Sequence, residues 1–511
     1  MRSIVRGVVA LVAAFFMMDV ANAAPTIVSP VDYSTVRTLT DSMKNLISPL
    51  NSNVSIFSSA NTTARENYET EYFYNNSVPA ALSWSGTTGD CTVKVWRTNG
   101  GSESAPFFSE TVSGTSTECY NLEVGCNYTW KVTDSQGNSA VGHFFTEDQA
   151  PRIIRGRRSN FTYSSGADCS NGRDIGGWAT ADGKRVKQGK IYRSGQLEYC
   201  SFKEWSGIYQ KMDMLYDVLG IRVDVDLRTV NNVNAFADWT AEWDTGSDNV
   251  CKWSGIGPDV ERFTIEWETL GKGPSTGNPY VYDGKYGCQF PSYSGFYGSM
   301  TIKYKENNVE KSYTQTANQN KIAVWAAFNR IYQAVVVDKE PVIFHCSHGK
   351  DRTGSLALVI HGLLGVSEAN IKRDFATAWF CNPDYTFTQT SMNNLITNIK
   401  DFDTASTKTL AGGCEKYLIS CATVAGDDAG ATKVAAFKAA MIEEPETAAV
   451  MPDQPGDTDE PVVAGPTINP AWGYIKTGLG ALGNEVAVVF TNENATAMTW
   501  TVPETLEKLG G

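Results

Sequence analysis

Short alternating runs fill much of the first third of the chain. Leu82-Ser83-Trp84, Cys91 to Trp96, Tyr128 to Val132 and Val141 to Phe145 are such runs, split by Gly, Asn, Asp and Ser. Period-two patterning between turn residues predicts strands. Residues 24–150 are therefore expected to form a small β-sandwich, with a short helix near Thr40-Asp41. His143 falls inside the last run and reads as an ordinary strand residue. Asp148-Gln149-Ala150-Pro151 reads as a hinge.

Beyond the hinge both periods occur. Met212 to Leu219 reads as a helix stopped by Gly220. Ile221, Val223, Val225 and Leu227 alternate with Arg222, Asp224, Asp226 and Arg228, which predicts a strand. Val324, Phe328, Ile331 and Val335 keep helical spacing. Val342-Ile343-Phe344 then forms a short apolar run, followed by a polar loop containing Gly349. Leu356, Val359, Ile360, Leu363 and Leu364 restore helical spacing, and Gly365 sits where a glycine stop belongs. This stretch reads strand, tight loop, helix.

Two regions fit neither period. About 90 residues rich in Gly, Tyr and Trp separate Arg228 from the helix around Val324, densest from Pro279 to Gly298. Loops of that length are functional or inserted, so this one is either a wall or lid of a cleft or a decoration. After Ala425 the chain thins into Ala and Gly, and Glu443 to Pro470 is acidic and proline-rich. Residues 426–470 are expected to be a linker. Residues 471–511 are expected to be a small β tail, with a hairpin of Val486–Phe490 and Met498–Val502 turning through Asn492-Glu493-Asn494.

Length and composition bound the rest. A chain of 511 residues predicts two to four domains, and 42% hydrophobic content permits a large core. Met1 to Ala23 carries Arg2 and Arg6, an apolar stretch from Gly7 to Met18, and Ala21-Asn22-Ala23. That is the pattern of a secretory signal. Asp19 interrupts the run before it could span a bilayer. The protein is expected to be exported, to the periplasm, the cell surface or the medium, without stable membrane insertion. A net charge of −13 argues against nucleic acid and against an anionic membrane surface as partners.

Export gives the 11 cysteines weight. Cys346 is expected to stay unpaired. Cys91, Cys119 and Cys126 precede residue 150, and the other seven follow it. Both counts are odd, so either a disulfide joins the two regions or a thiol stays free in each. In an oxidising compartment most of the ten should be paired. Cys414 and Cys421 could not bridge on one straight helix, where seven residues rise about 10 Å.

The loop from His345 to Gly354 carries the chemistry. A loop feeding a helix N-terminus offers unpaired N–H groups and the positive end of a dipole, which suits an anion. The same field lowers a thiol pKa, so Cys346 should be largely thiolate. Arg352, six residues on, can clamp two phosphate oxygens with its planar fork. Thr353 could donate its hydroxyl to the sulfur. The chemistry implied is attack of sulfur on phosphorus, then hydrolysis of the cysteinyl-phosphate.

His345-Cys346-Ser347-His348-Gly349-Lys350-Asp351-Arg352-Thr353-Gly354 resembles the signature of cysteine-dependent protein-tyrosine phosphatases. Its Gly-Lys-Asp-Arg-Thr-Gly form resembles the bacterial tyrosine/lipid phosphatase family. Gly172–Gly177 with Asp182–Val186, Gly189–Gly195, and Leu219–Val223 running into Asp226-Leu227-Arg228 agree with that family. The resemblance covers about 151–425 and implies an α/β domain with a central, mostly parallel sheet flanked by helices. It implies Cys346 as nucleophile, Arg352 as the charge clamp, Thr353 and His345 as aids to the thiol, and Ser347, His348, Gly349, Lys350 and Asp351 as substrate-binding loop. It places the general acid at Asp226. The other reading of Asp226 is a strand-end carboxylate paired to Arg228 or Arg193, and Asp351 is the rival acid. The implied substrate is a phosphotyrosine protein or a phosphoinositide, with no cofactor and no metal. Residues 24–150 resemble a fibronectin type III-like module. The competing class is a non-catalytic anion-binding or adhesion protein built on the same fold.

Overall fold

The structure is a computed structural model and describes residues 24–41, 44, 78–154, 171–195, 197, 214–228, 256, 260–264, 290–306, 309–346, 349–377 and 389–450. The signal-like segment, most of the Tyr-rich insertion and the expected β tail lie outside the described residues. No helix among the described residues is long and apolar enough to cross a membrane.

The first part of the chain forms two sheets. Its strands are β1 (Thr26–Ser29), β2 (Ser34–Val36), β3 (Ala80–Ser85), β4 (Cys91–Arg97), β5 (Phe108–Val112), β6 (Ser116–Cys119), β7 (Asn127–Thr133) and β8 (Ser139–Thr146). One sheet is β1-β3-β6 and the other β2-β8-β7-β4-β5. Alternation sorts the side chains. Cys91, Val93 and Val95 of β4 are fully buried, and they share one core with Leu82 and Trp84 of β3 and Tyr128 and Trp130 of β7. His143 sits in β8, stacked on Tyr33 and 3.1 Å from Asp32.

The second part contains β9 (Arg173–Asp174), β10 (Arg185–Val186), β11 (Ile191–Ser194), β12 (Val223–Asp226), β13 (Glu261–Thr264), β14 (Met300–Glu306), β15 (Val309–Gln315), β16 (Val342–His345) and β17 (Ile442–Glu443). Its helices are α1 (Ala317–Tyr332), α2 (Asp351–Leu363), α3 (Glu368–Thr377), α4 (Gln389–Lys400), α5 (Leu410–Val424) and α6 (Gly430–Met441). The main sheet has the order β13-β12-β16-β11-β9. β16 runs parallel to both neighbours, β13 is parallel to β12, and only the short edge strand β9 is antiparallel. Parallel sheets are covered on both faces, and every residue of β11, β12 and β16 is buried. The loop after β16 therefore leaves the carboxyl end of the middle strand, the usual ligand position in such sheets.

Three expectations change. Within the segment expected as linker from residue 426, Gly430–Met441 is helix and Ile442–Glu443 is strand. Val434, Phe437 and Met441 form a buried stripe on α6, and β17 pairs with β10. The Ala-rich composition hid that stripe. The chain then runs back to the β-region, where Asn127 bonds the Glu446 carboxylate at 2.9 Å and the Thr447 carbonyl at 2.7 Å.

The hinge is pinned as well. Pro151, Arg152, Ile153 and Ile154 are buried. Arg185 donates to the carbonyls of Val124 and Gly125 and meets Asp148 at 2.6 Å. Arg152 reaches from the Asn121 carbonyl to Asp174. Removing one partner of a buried charge pair costs about 3–5 kcal/mol, so these contacts fix the junction.

The third change concerns the cysteines. Cys91, Cys119, Cys126, Cys414 and Cys421 are free thiols packed as small apolar groups in closed cores. No bridge joins the β-region to the rest, and at most half of the ten cysteines outside the loop can be paired. Cys414 and Cys421 share α5, where the helical rise holds them too far apart to bridge, and both are free.

Candidate active site

The loop is shaped from outside before any ligand is considered. Gly349 has φ +66°, and a Cβ there would meet the Ser194 carbonyl at 2.4 Å. Only glycine fits that close approach. The Gly354 N–H donates to the Lys350 carbonyl at 2.8 Å, closing the first turn of α2. Gly354 lets Phe375 pack against the start of this helix, since a Cβ would sit 2.7 Å from its ring.

Cys346 follows β16 and is 3% exposed. Burial pushes its thiol pKa up, but the Arg352 charge and the Thr353 hydroxyl and N–H outweigh it, and the pKa falls. At four other buried thiols burial is the largest influence and the pKa rises. Cys421 is pushed up to about 12, and Cys119, Cys126 and Cys414 rise further. The buried Thr353 hydroxyl meets no hydrogen-bond partner of full geometry among the described residues, yet it lies close enough to the sulfur to favour thiolate. Arg352 is half-buried at the start of α2, and its Nη1 donates to the Leu227 carbonyl at 3.2 Å. Burial lowers the Lys350 pKa, with Asp351 opposing. Ser347 and His348 lie outside the described residues.

His345 is buried, with Nε2 3.0 Å from Asp224 and Nδ1 3.4 Å from the Cys346 carbonyl. The ring is thus fixed between β12 and the loop. Asp226 is fully buried at the end of β12. Its Oδ1 accepts from the Arg228 N–H at 3.0 Å and Nε at 2.8 Å, and its Oδ2 from Nη2 at 2.6 Å. That geometry is the strand-end pairing with Arg228, and Oδ1 also lies 4.0 Å from His345 Nδ1.

Asp351 has a different setting. It is half-buried, and its Oδ1 accepts from the Tyr293 hydroxyl at 2.6 Å. Tyr293 adopts φ +44°, a backbone rare for side chains of its size. Its N–H donates to the Ser355 hydroxyl at 3.0 Å, and its ring lies 6.0 Å from Phe375. With Phe290 and Phe296 buried in the core beside it, the described end of the Tyr-rich insertion forms a wall next to the loop.

Sequence reasoning missed a buried cluster behind the loop. Arg173 and Arg193 both bond Asp374 of α3 at 2.6 Å. Arg193 and Asn171 also donate to the Gly349 carbonyl, at 2.8 Å and 2.9 Å. The signal was present in part, because both arginines lie in stretches that agree with the resembling family. Among the described residues no group of three or more His, Cys, Asp or Glu could hold a metal ion.

Comparisons with known proteins agree with this geometry. A Cupriavidus necator protein that carries the name of a tyrosine-protein phosphatase is 26% identical over 213 residues. That stretch is 40% of this chain and 59% of the other, so the chain spans little more than half of its relative. The model of the tyrosine phosphatase family matches residues 165–420, which contain β9 to β16, the loop, α1 to α4 and most of α5. The chain belongs to the tyrosine phosphatase family.

Proposed function

We propose that this protein is an exported phosphatase that hydrolyses phosphate monoesters, of phosphotyrosine or phosphoinositide type, through a cysteinyl-phosphate on Cys346. The observation that carries the reading is a buried thiol whose pKa is lowered, not raised, at the end of the central strand. In the first step the Cys346 thiolate attacks phosphorus, the phosphorus–oxygen bond to the leaving group breaks, and an acid gives that oxygen a proton. In the second step water attacks phosphorus, the sulfur–phosphorus bond breaks, and the same group, now a base, takes the proton. Arg352 and the loop amides hold the charge on the transferring group in both steps. Export rests on the Met1–Ala23 pattern. The test is phosphate release from a panel of phosphotyrosine peptides and phosphoinositides. Release from none of them would sink the reading.

The acid we assign is Asp351. Both Asp226 oxygens are held by Arg228, whereas Asp351 sits in the loop with one oxygen oriented by Tyr293. Asp351→Asn should slow substrates with alkyl leaving groups by roughly 10²–10⁴-fold and activated aryl phosphates far less, because only the former need a proton on departure. Asp226→Asn should slow both alike, through lost support for Arg228. The measurement is kcat on the two substrate classes. The reverse pattern would return the role to Asp226.

A further inference from the structure

The chemistry above makes no use of the buried charges behind the loop. Arg193 and Arg173 are register partners on β11 and β9, and neither is exposed. Asp374 sits between them, accepting from Arg173 Nε and Arg193 Nη1 at 2.6 Å each, and its carbonyl accepts from Arg173 Nη2 at 2.8 Å. His361 Nδ1 lies 3.9 Å away. Among the described residues the two guanidiniums share this one carboxylate.

One of the two arginines also reaches the loop. Arg193 Nη2 donates to the Gly349 carbonyl at 2.8 Å, and Asn171 Nδ2 donates to the same oxygen at 2.9 Å. A planar trans peptide points its N–H opposite to its C=O. Holding the Gly349 carbonyl from outside therefore turns the Lys350 N–H the other way, toward the hollow an anion would occupy. We propose that Arg193, held between Asp374 and the Gly349 carbonyl, is the positioning residue that keeps the phosphate loop in its anion-binding shape, with Arg173 and Asn171 as its supports. The inference rests on reading His345–Gly354 as a phosphate loop. It gives a structural role to the arginines of the Gly172–Gly177 and Gly189–Gly195 stretches.

The arrangement also bears on the thiol. Among the described residues the groups that act on Cys346 include Arg352 and Asp351 at the start of α2, the Thr353 hydroxyl and N–H, Arg193 from β11, and Tyr293 from the wall. Burial and the neighbouring Arg173 lower the Arg193 pKa to about 10, so it stays charged at neutral pH. Arg193 is thus a second cation favouring the thiolate.

Three variants test this: Arg193→Lys, which keeps the charge but not the two-way bond; Arg193→Met, which removes both; and Asn171→Gly. The last keeps the left-handed backbone, φ +59°; it takes the Asn171 Oδ1 acceptor from Arg173 Nη1, which keeps the Asn171 carbonyl at 3.1 Å, while Nε keeps Asp374. The readouts are inhibition by vanadate and the pH midpoint of Cys346 alkylation by iodoacetamide, neither of which needs turnover. Arg193→Lys should weaken vanadate about 10²-fold, as misplacement of a binding group does, and leave the midpoint in place. Arg193→Met should also raise the midpoint, because it removes a cation that favours the thiolate. Asn171→Gly should weaken vanadate in the same direction by less. Folded Arg193 variants with wild-type vanadate inhibition and midpoint would overturn the proposal. If the Arg193 variants fail to fold, Asn171→Gly decides alone: weakened vanadate supports the proposal, and unaltered vanadate overturns it. A protein that responds as expected yet hydrolyses no phosphate ester would refute the phosphatase reading and leave this one standing.

Discussion

Cys346→Ser is expected to abolish turnover, by roughly 10⁴-fold or more, while leaving phosphate-ester binding nearly intact. The loop around Cys346 lowers a thiol pKa through Arg352 and Thr353 against the cost of burial. A serine hydroxyl starts several units higher, and the same field leaves it protonated at neutral pH. The shape of the loop does not depend on the sulfur. It is set by Gly349 against Ser194 and by the donors to the Gly349 carbonyl. Substrate should therefore still bind and go no further. The measurements are kcat and, separately, binding of a phosphate ester to the variant. Substantial turnover in Cys346→Ser would show that sulfur is not the nucleophile.

Arg352→Lys carries the second largest effect. Lysine keeps the charge but offers one point donor where the transferring phosphoryl group needs two aligned ones. Arg352 also donates to the Leu227 carbonyl at 3.2 Å, which aims its plane from the end of β12. An ammonium could not hold that contact and grip two phosphate oxygens together. The loss expected in kcat is about 10³-fold, in the range of removing a preorganised transition-state donor. It should appear in kcat more than in KM, because charge builds on the equatorial oxygens during transfer. A variant within tenfold of the wild type would mean that Arg352 supplies bulk charge alone.

The parts of the molecule read correctly from sequence are those in which local pattern and tertiary position agree. The strands of the β-region alternate because one face of each is buried, as in Cys91, Val93 and Val95. Val342-Ile343-Phe344, the glycine loop and the stripe on α2 became strand, loop and helix because the order of these elements is written in neighbouring residues, although the shape of the loop is not. Pattern failed where a buried face is polar. Alternation marked Asp224 and Asp226 as the polar side of a strand, but β12 lies between β13 and β16 and every residue of it is buried. Asp224 meets His345, which no local pattern gives, and Asp226 meets Arg228, one of the two arginine partners expected for it. It failed again at α6, where alanines surround a stripe of only three larger side chains.

The support of the loop was hidden for a different reason. Asn171, Arg193 and Asp374 are far apart in sequence, and only the crossing of β11 and α3 behind Gly349 brings them together. No local period reports such a cluster. Tyr293 was a similar case. It was legible as one aromatic in a Tyr-rich stretch, but its bond to Asp351 depends on a positive φ that sequence gives no sign of.

The central claim is that phosphorus passes through sulfur. The measurement closest to it is rapid acid quench of the wild-type enzyme with an activated aryl phosphate, followed by mass spectrometry of the peptide containing Cys346. The account predicts one added phosphoryl group on Cys346, formed in a burst and absent from Cys346→Ser. Steady release of phosphate with no phosphorylated Cys346 at any quench time would contradict it.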